Sequence, residues 1–188
     1  PAFDFVARSL APREGERLLD LGADLTWSTC HFARQGLRCI ALDINHHLAV
    51  ARVFEEQFGV RYGRIRADMT TAPFVDGSFE MVIGIDALHH AGDLGALAAN
   101  IARMLVPGGR LGFVEPYCTS EAERETFGRA QIEAGIITRM GPSCAMQRTK
   151  IAPVSMAANG TPATASPIPP SNVCASAVTM TPSATART

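Results

Sequence analysis

Apolar and polar positions follow one another along this chain in a recurring order: a short apolar run, a turn, then a stretch with helical spacing. Phe3, Val6, Ala7 and Leu10 predict an amphipathic helix over 2–10. Pro12 to Glu16 is a charged turn. Arg17 to Gly22 reads as a buried strand entering a glycine turn, and Thr26 or Ser28 offers an N-cap for a helix that ends near Gln35 and is stopped by Gly36. Leu37 to Leu42 is a second apolar run, closed by Asp43. His46 to Phe58 reads as a helix, with Leu48, Ala49, Val53 and Phe58 roughly on one face and Gly59 after it. Val60 to Ala67 carries Arg61, Arg64 and Arg66, a pattern that suits a half-exposed edge strand. Phe79 to Asp86 is another buried strand, and Gly92 or Asp93 starts a helix over Leu94 to Leu105. Val106 to Gly109 is a turn, Arg110 to Glu115 a fifth strand, and Glu121 to Ala134 a last helix.

Strands alternating with helices across short connections predict an α/β fold, a doubly wound and mainly parallel sheet of about five strands with helices on both faces. Right-handed crossovers bring the strand ends to one rim. Asp20, Asp43, Asp68 and Asp86 each lie at or just past such an end. Any one of them could be a helix cap or a solvated loop residue, but four in register point to a site. Asp43 stands about twenty residues beyond the first turn, where a carboxylate suits the hydroxyls of a ribose lying across the strand ends.

Beyond Met140 the pattern stops. Ala, Ser, Thr and Pro dominate, and acidic, aromatic and Leu residues are absent from Gly141 onward. This divides the chain into a domain over 1–140 and a low-complexity segment over 141–188 with little packed structure. The segment is either a disordered natural tail or the product of a reading-frame shift, with the abrupt change favouring the second. Ile151 to Val154 is interrupted by Pro153, and the run around Val178 is short. The expected sheet therefore stops at five strands, with Leu111 to Glu115 at an exposed edge. The chain begins at Pro1, inside the helical pattern, which leaves room for sequence upstream.

Charge narrows the partners. The first 140 residues carry 14 basic against 18 acidic groups, a net of −4, and the basic groups are scattered. Nucleic-acid binding through a basic face is not expected. No apolar run approaches the roughly twenty residues of a membrane span, and the amino terminus lacks a signal-peptide pattern. Cys30, Cys39, Cys118, Cys144 and Cys174 are odd in number and lack CxxC spacing, which suits reduced thiols in a cytoplasmic protein. No metal site is expected from the histidine pairs. His46-His47 and Cys30-His31 read as helix residues, and Trp27 either covers a pocket or packs under its helix.

These stretches together resemble class I S-adenosylmethionine-dependent methyltransferases, most closely the broad small-molecule group. The resemblance covers roughly Gly15 to Tyr117. It rests on LLDLGAD at the first strand, ALDIN at the second, RADMTTAPFVDGSFEMVIGIDALHH through the fourth, and LVPGGRLGFVEP at the fifth. It implies a Rossmann-like fold that here lacks its last two strands, S-adenosyl-L-methionine as cofactor, and methyl transfer to a small-molecule acceptor. By that resemblance Asp20 and Gly22 lie under the methionine portion, Asp43 holds the ribose hydroxyls and Ile44 lies against adenine, with Asp24 also counted among the cofactor-binding residues. Asp68 accepts from the adenine amino group with Met69 beside it, and Asp86 and Ala87 line the methionine side. The usual glycine turn of the family has Gly two and four residues beyond Gly22, where this chain has Asp24 and Thr26. That departure motivates a second expectation, a non-catalytic scaffold or partner-binding module on the same fold. His90 stands at the acceptor rim, either as a general base or as a helix-entry residue that lines the opening. A nicotinamide dehydrogenase is a distant third, because G-x-G-x-x-G is absent. The acceptor and the oligomeric state are not fixed by the sequence.

Overall fold

In the computed structural model, residues 2–118, 120–133, 146–147 and 173–179 are described. The elements run α1 (Ala2–Ser9), β1 (Arg17–Leu21), α2 (Trp27–Ala33), β2 (Arg38–Asp43), a 3-10 segment (His46–Val50) continuing into α3 (Ala51–Phe58), and β3 (Gly63–Arg66). A 3-10 turn (Met69–Thr71) precedes β4 (Phe79–Ile85). A second turn (Leu88–His90) leads to α4 (Leu94–Met104), followed by β5 (Leu105–Cys118), α5 (Glu121–Glu133), β6 (Met146–Gln147) and β7 (Val173–Thr179).

The sheet order is β3-β2-β1-β4-β5, all parallel, with β6 and β7 both paired to β5. The order reverses between β1 and β4, the point where a doubly wound sheet opens a crevice at its carboxyl rim. The period of two along each strand sorts the core into two layers. Leu18, Met81 and Ile83 face one side, with Val6 of α1, Leu10 just after it, Phe32 of α2 and Leu48 of the segment before α3. Leu19, Leu21 and Val82 face the other, with Leu97, Ile101 and Met104 from α4. Each fully buried Leu or Met is worth about 1.5–3 kcal/mol, so the central strands carry the domain.

β7 changes the expected picture. It pairs antiparallel with β5 through seven positions, from Arg110↔Thr179 to Pro116↔Val173. β6 adds a short parallel pairing at Tyr117 and Cys118. The sheet therefore has seven strands rather than about five, and Leu111 to Glu115 is not an exposed edge. The run around Val178 has little intrinsic signal because it is short and stands alone in a stretch without periodicity. What decides its conformation is the row of backbone donors and acceptors offered by β5. The expected boundary at residue 140 falls outside the described residues, as does the segment at Ile151 to Val154.

Two smaller expectations shift. Val106 to Gly109 loops out within β5, between the Phe79↔Leu105 and Met81↔Arg110 pairs, with Gly108 at φ +79°. Thr26 precedes α2 but makes no side-chain cap. It sits at φ +64°, and its hydroxyl meets Tyr62 Oη at 2.9 Å. Other bounds move as well: β3 is confined to Gly63–Arg66 rather than Val60 to Ala67, β5 runs on to Cys118, and His46 to Phe58 begins as a 3-10 segment. Asp93 caps α4 by accepting from Ala96 N, and Gly59 closes α3 at φ +64°.

Candidate functional site

The carboxyl rim is built by three turns that touch one another. After β1, Gly22 takes φ +69°, and a Cβ there would lie 2.3 Å from that of Ala87 in the turn after β4. Only glycine lets these two turns meet. Asp24 and Thr26 follow at φ +38° and +64°, so the turn keeps left-handed backbone at both positions where glycine is usual. For Asp this region is accessible, whereas for β-branched Thr it is strained.

Asp43 ties the first two turns together. Its Oδ2 accepts from Asp24 N at 2.8 Å and its Oδ1 from Asn45 N at 2.7 Å, with 9% of the residue exposed. Asp24 in turn places Oδ1 2.7 Å from His47 Nδ1, on the surface beside this carboxylate. Ile44, the next residue, is 69% exposed and presents an apolar face at the same rim.

Asp20 lies beneath. It is fully buried, and its Oδ2 accepts from Ser28 Oγ and Thr29 Oγ1, each at 2.6 Å. Its Oδ1 is the one buried side-chain oxygen or nitrogen without a partner among the described residues. Burial pushes the Asp20 carboxyl up to about 6, against the two hydroxyls and with a smaller push from Asp43. A buried acceptor with no donor is a place for a cationic or N–H-bearing ligand group.

Across the rim, Asp86 adopts φ +54°, exposed, at the end of β4. Behind it, Glu115 of β5 is fully buried and gathers the turn. It accepts from Ala87 N at 3.0 Å, Leu88 N at 2.7 Å and His89 N at 3.4 Å, and its Oε2 lies 2.6 Å from His89 Nδ1. Ligand atoms of Asp86, His89 and Glu115 fall within 4.8 Å of one another. The oxygens of Glu115 are already spent on these donors, so hydrogen bonds fill the position a metal ion would need. His90 is exposed by area, with its ring centroid 4.1 Å from that of His89. Crowding of its ring, then repulsion by His89, holds its pKa below the ordinary imidazole value, while Asp86, Glu115 and Asp43 pull the other way.

Asp68 follows β3 at the strand end beside Asp43, where Ala67 N donates to Asp43 O at 3.0 Å. It caps its own turn, with Oδ1 accepting from Thr70 N at 2.7 Å and Thr70 Oγ1 at 2.6 Å, and this hydroxyl holds its pKa low. Met69 packs against the second core layer. Asp20, Gly22, Asp24, Asp43, Asp86 and Ala87, expected from the sequence, are brought to one rim by the fold; of the His89-His90 pair the sequence pointed to His90, and Glu115 was missed. The missed signal was a glutamate at the end of an apolar strand, LGFVE, matching the aspartates that end the other strands. Trp27 is half-exposed and packs edge-on against Phe3 at 4.7 Å. Cys30 and Cys39 are buried free thiols, and burial pushes Cys39 up to about 12.

A cavity of about 560 Å³ lies at the opposite end of the strands, lined by residues including Arg17, Arg38, Arg61, Phe74 and Phe79. It contains none of the rim carboxylates. Arg17 there is engaged by Glu80, whose carboxyl the guanidinium draws down to about 2. The chemistry places the candidate site at the carboxyl rim, not in that cavity.

Comparison with known proteins identifies the domain. Residues 19–113, just over half of the chain, match the model of a methyltransferase domain. A sterol 24-C-methyltransferase of Gibberella zeae is 26% identical over 136 residues, 70% of this chain, which spans 36% of that relative's length. Among solved structures, the YcgJ protein of Bacillus subtilis superposes with a TM-score of 0.69 at 21% identity, covering 79% of this chain and 63% of that one. A phosphoethanolamine N-methyltransferase of Haemonchus contortus, solved with S-adenosyl-L-methionine, gives a TM-score of 0.58 at 25% identity, covering 69% of this chain and 32% of that one. No helix among the described residues is long and apolar enough to cross a membrane. The chain belongs to the methyltransferase domain family, on the Rossmann-like fold of the class I S-adenosylmethionine-dependent enzymes.

Proposed function

We propose that this chain binds S-adenosyl-L-methionine at the carboxyl rim and transfers its methyl group to a small-molecule acceptor in the cytoplasm. The observation that carries this reading is the buried, donor-less oxygen of Asp20 beneath a left-handed turn, with the Asp43 carboxylate at the next strand end. The cofactor, when bound, supplies an electrophilic methyl group on a sulfonium. Asp20, Gly22 and Asp24 would border its methionine portion, with Asp86 and Ala87 opposite. Asp43 would hold the ribose diol, since a carboxylate accepts from two hydroxyls at once. Ile44 and Met69 offer apolar faces for adenine, and Asp68 an oxygen for its amino group. The chain gains rate chiefly by orienting the acceptor and excluding water. A histidine of the pair after β4, His90 or its neighbour His89, would take a proton from the acceptor.

A second reading, a non-catalytic binding module, draws support from the Asp24–His47 contact, which sets a side chain beside Asp43 where glycine is usual. Calorimetric titration with S-adenosyl-L-methionine separates the two. Saturable binding, displaced by S-adenosylhomocysteine, is expected. No heat at any cofactor concentration would remove the methyl-transfer reading.

A further inference from the structure

The turn after β4 closes on a carboxylate from the neighbouring strand. Glu115 is fully buried and faces four donors: the backbone N–H groups of residues 87, 88 and 89, and His89 Nδ1. A carboxylate has about four lone-pair positions and no proton to give. Four donors match that capacity, so the hydrogen between Glu115 and His89 belongs to Nδ1. The two nitrogens of an imidazole are not independent. With Nδ1 carrying the hydrogen, the neutral ring presents a lone pair at Nε2.

The His89 side chain is 6% exposed, and no described residue bonds its Nε2. The ring is therefore clamped at Nδ1, and the side chain keeps a sliver of exposure beside Asp86, whose Oδ1 lies 3.9 Å from Nδ1. His90, by contrast, has no carboxylate bonded to its ring among the described residues, and it packs against His89 at 4.1 Å. A base needs a fixed orientation and a fixed tautomer, and within this pair only His89 has both.

We propose that Glu115 and His89 form a carboxylate–imidazole pair in which His89 Nε2 accepts the proton of the methyl acceptor, with Glu115 as its positioning residue. The inference rests on the methyl-transfer reading for the reaction it serves. The acceptor's heteroatom–hydrogen bond breaks towards Nε2, whose lone pair takes the proton. The electron pair left on the heteroatom forms the bond to the methyl carbon, and the pair of the methyl–sulfur bond stays on sulfur. His89 ends as an imidazolium facing the Glu115 carboxylate, which stabilises the positive charge at 2.6 Å.

Nitrogen-15 spectroscopy of the full chain at neutral pH reads which imidazole nitrogen is protonated, without an acceptor in hand. His89 is expected to carry its proton on Nδ1 with Nε2 bare. In Glu115→Gln the side-chain amide donates to Nδ1, and the proton is expected to move to Nε2. Diethyl pyrocarbonate, which acylates bare imidazole nitrogens, is expected to modify His89 in His90→Asn protein, and saturating S-adenosylhomocysteine to slow this on the order of tenfold by closing the space. A wild-type proton on Nε2 overturns the proposal, and this holds even if Glu115→Gln fails to fold. An unmodified His89, or a His89 signal that moves with added zinc ion, also overturns it. The expected tautomer and modification without S-adenosylhomocysteine binding support the pair and count against the methyl-transfer reading.

Discussion

Two buried carboxylates stand on either side of this rim, and they are treated differently by the chain around them. Asp20 receives two hydroxyl donors on one oxygen and none on the other. Glu115 receives four donors, three of them backbone N–H groups. Burial without full hydrogen bonding penalises the charged form, which is why the Asp20 carboxyl rises to about 6. A half-satisfied carboxylate keeps an oxygen free for a further donor, whereas a fully satisfied one holds a turn. The contrast teaches that the number of donors, more than burial, sorts site carboxylates by role.

The strongest way to break this comparison is to delete the satisfied member. Glu115→Ala leaves three backbone donors and His89 without their acceptor, and is expected to destabilise the fold by about 3–5 kcal/mol. Urea unfolding measures it. A loss below about 1 kcal/mol would make the turn self-supporting and remove the distinction.

Asp20 should show its incompleteness as a pH dependence. A carboxyl raised from 3.8 to about 6 in the folded state binds protons more tightly there than when unfolded. Its contribution is fully present below the unfolded value and is lost as pH rises through about 6. The loss is about 3 kcal/mol at 1.36 kcal/mol per pKa unit. Wild-type stability measured against Asp20→Asn should therefore fall between pH of about 4 and 6. Cofactor affinity should rise over the same window in wild type only, since the ionised oxygen attracts an ammonium. A flat difference would mean that Asp20 is satisfied after all.

Asp43 sharpens the comparison because it lies between the extremes, with one backbone donor on each oxygen. Asp43→Ala is expected to weaken S-adenosyl-L-methionine binding by about 1.5–3 kcal/mol, the range for hydrogen bonds to charged groups. Unchanged affinity by titration would confine Asp43 to holding the turns. Asp24→Gly should have the smallest effect. It gives up an exposed contact with His47 worth at most about 1 kcal/mol and removes a side chain from a left-handed position that glycine adopts freely. Melting should show little change or a small gain, with cofactor binding kept or strengthened. Lost binding would make the Asp24 side chain a ligand.

Much of this architecture is legible in the residues themselves. The apolar runs at 17–21, 37–42 and 79–85 are buried on both faces, and such runs read the same from any distance along the chain. Asp20, Asp43 and Asp86 follow from them, because a strand end is a local feature. Asp68 lies at a strand end too, but Thr70 two residues on gives its carboxylate a local partner. The parts that were hidden depend on partners far away. The donors to Glu115 come from residues 87–89, set by the β4–β5 register. Val173–Thr179 becomes a strand only because β5 offers it an edge.

That last pairing bears on the order in which the chain acquires its shape. Pro116 and Val173 face each other across more than fifty intervening residues, whereas β1, β2 and β3 are joined by short connections. Closing so long a loop is entropically unfavourable and gains nothing until the far strand docks. The parallel core can assemble first from nearer contacts, and β7 then adds to a finished template. Until it does, β5 presents the open edge on which a strand from another chain could settle, so the interval before β7 docks is when this protein is most exposed to misassembly.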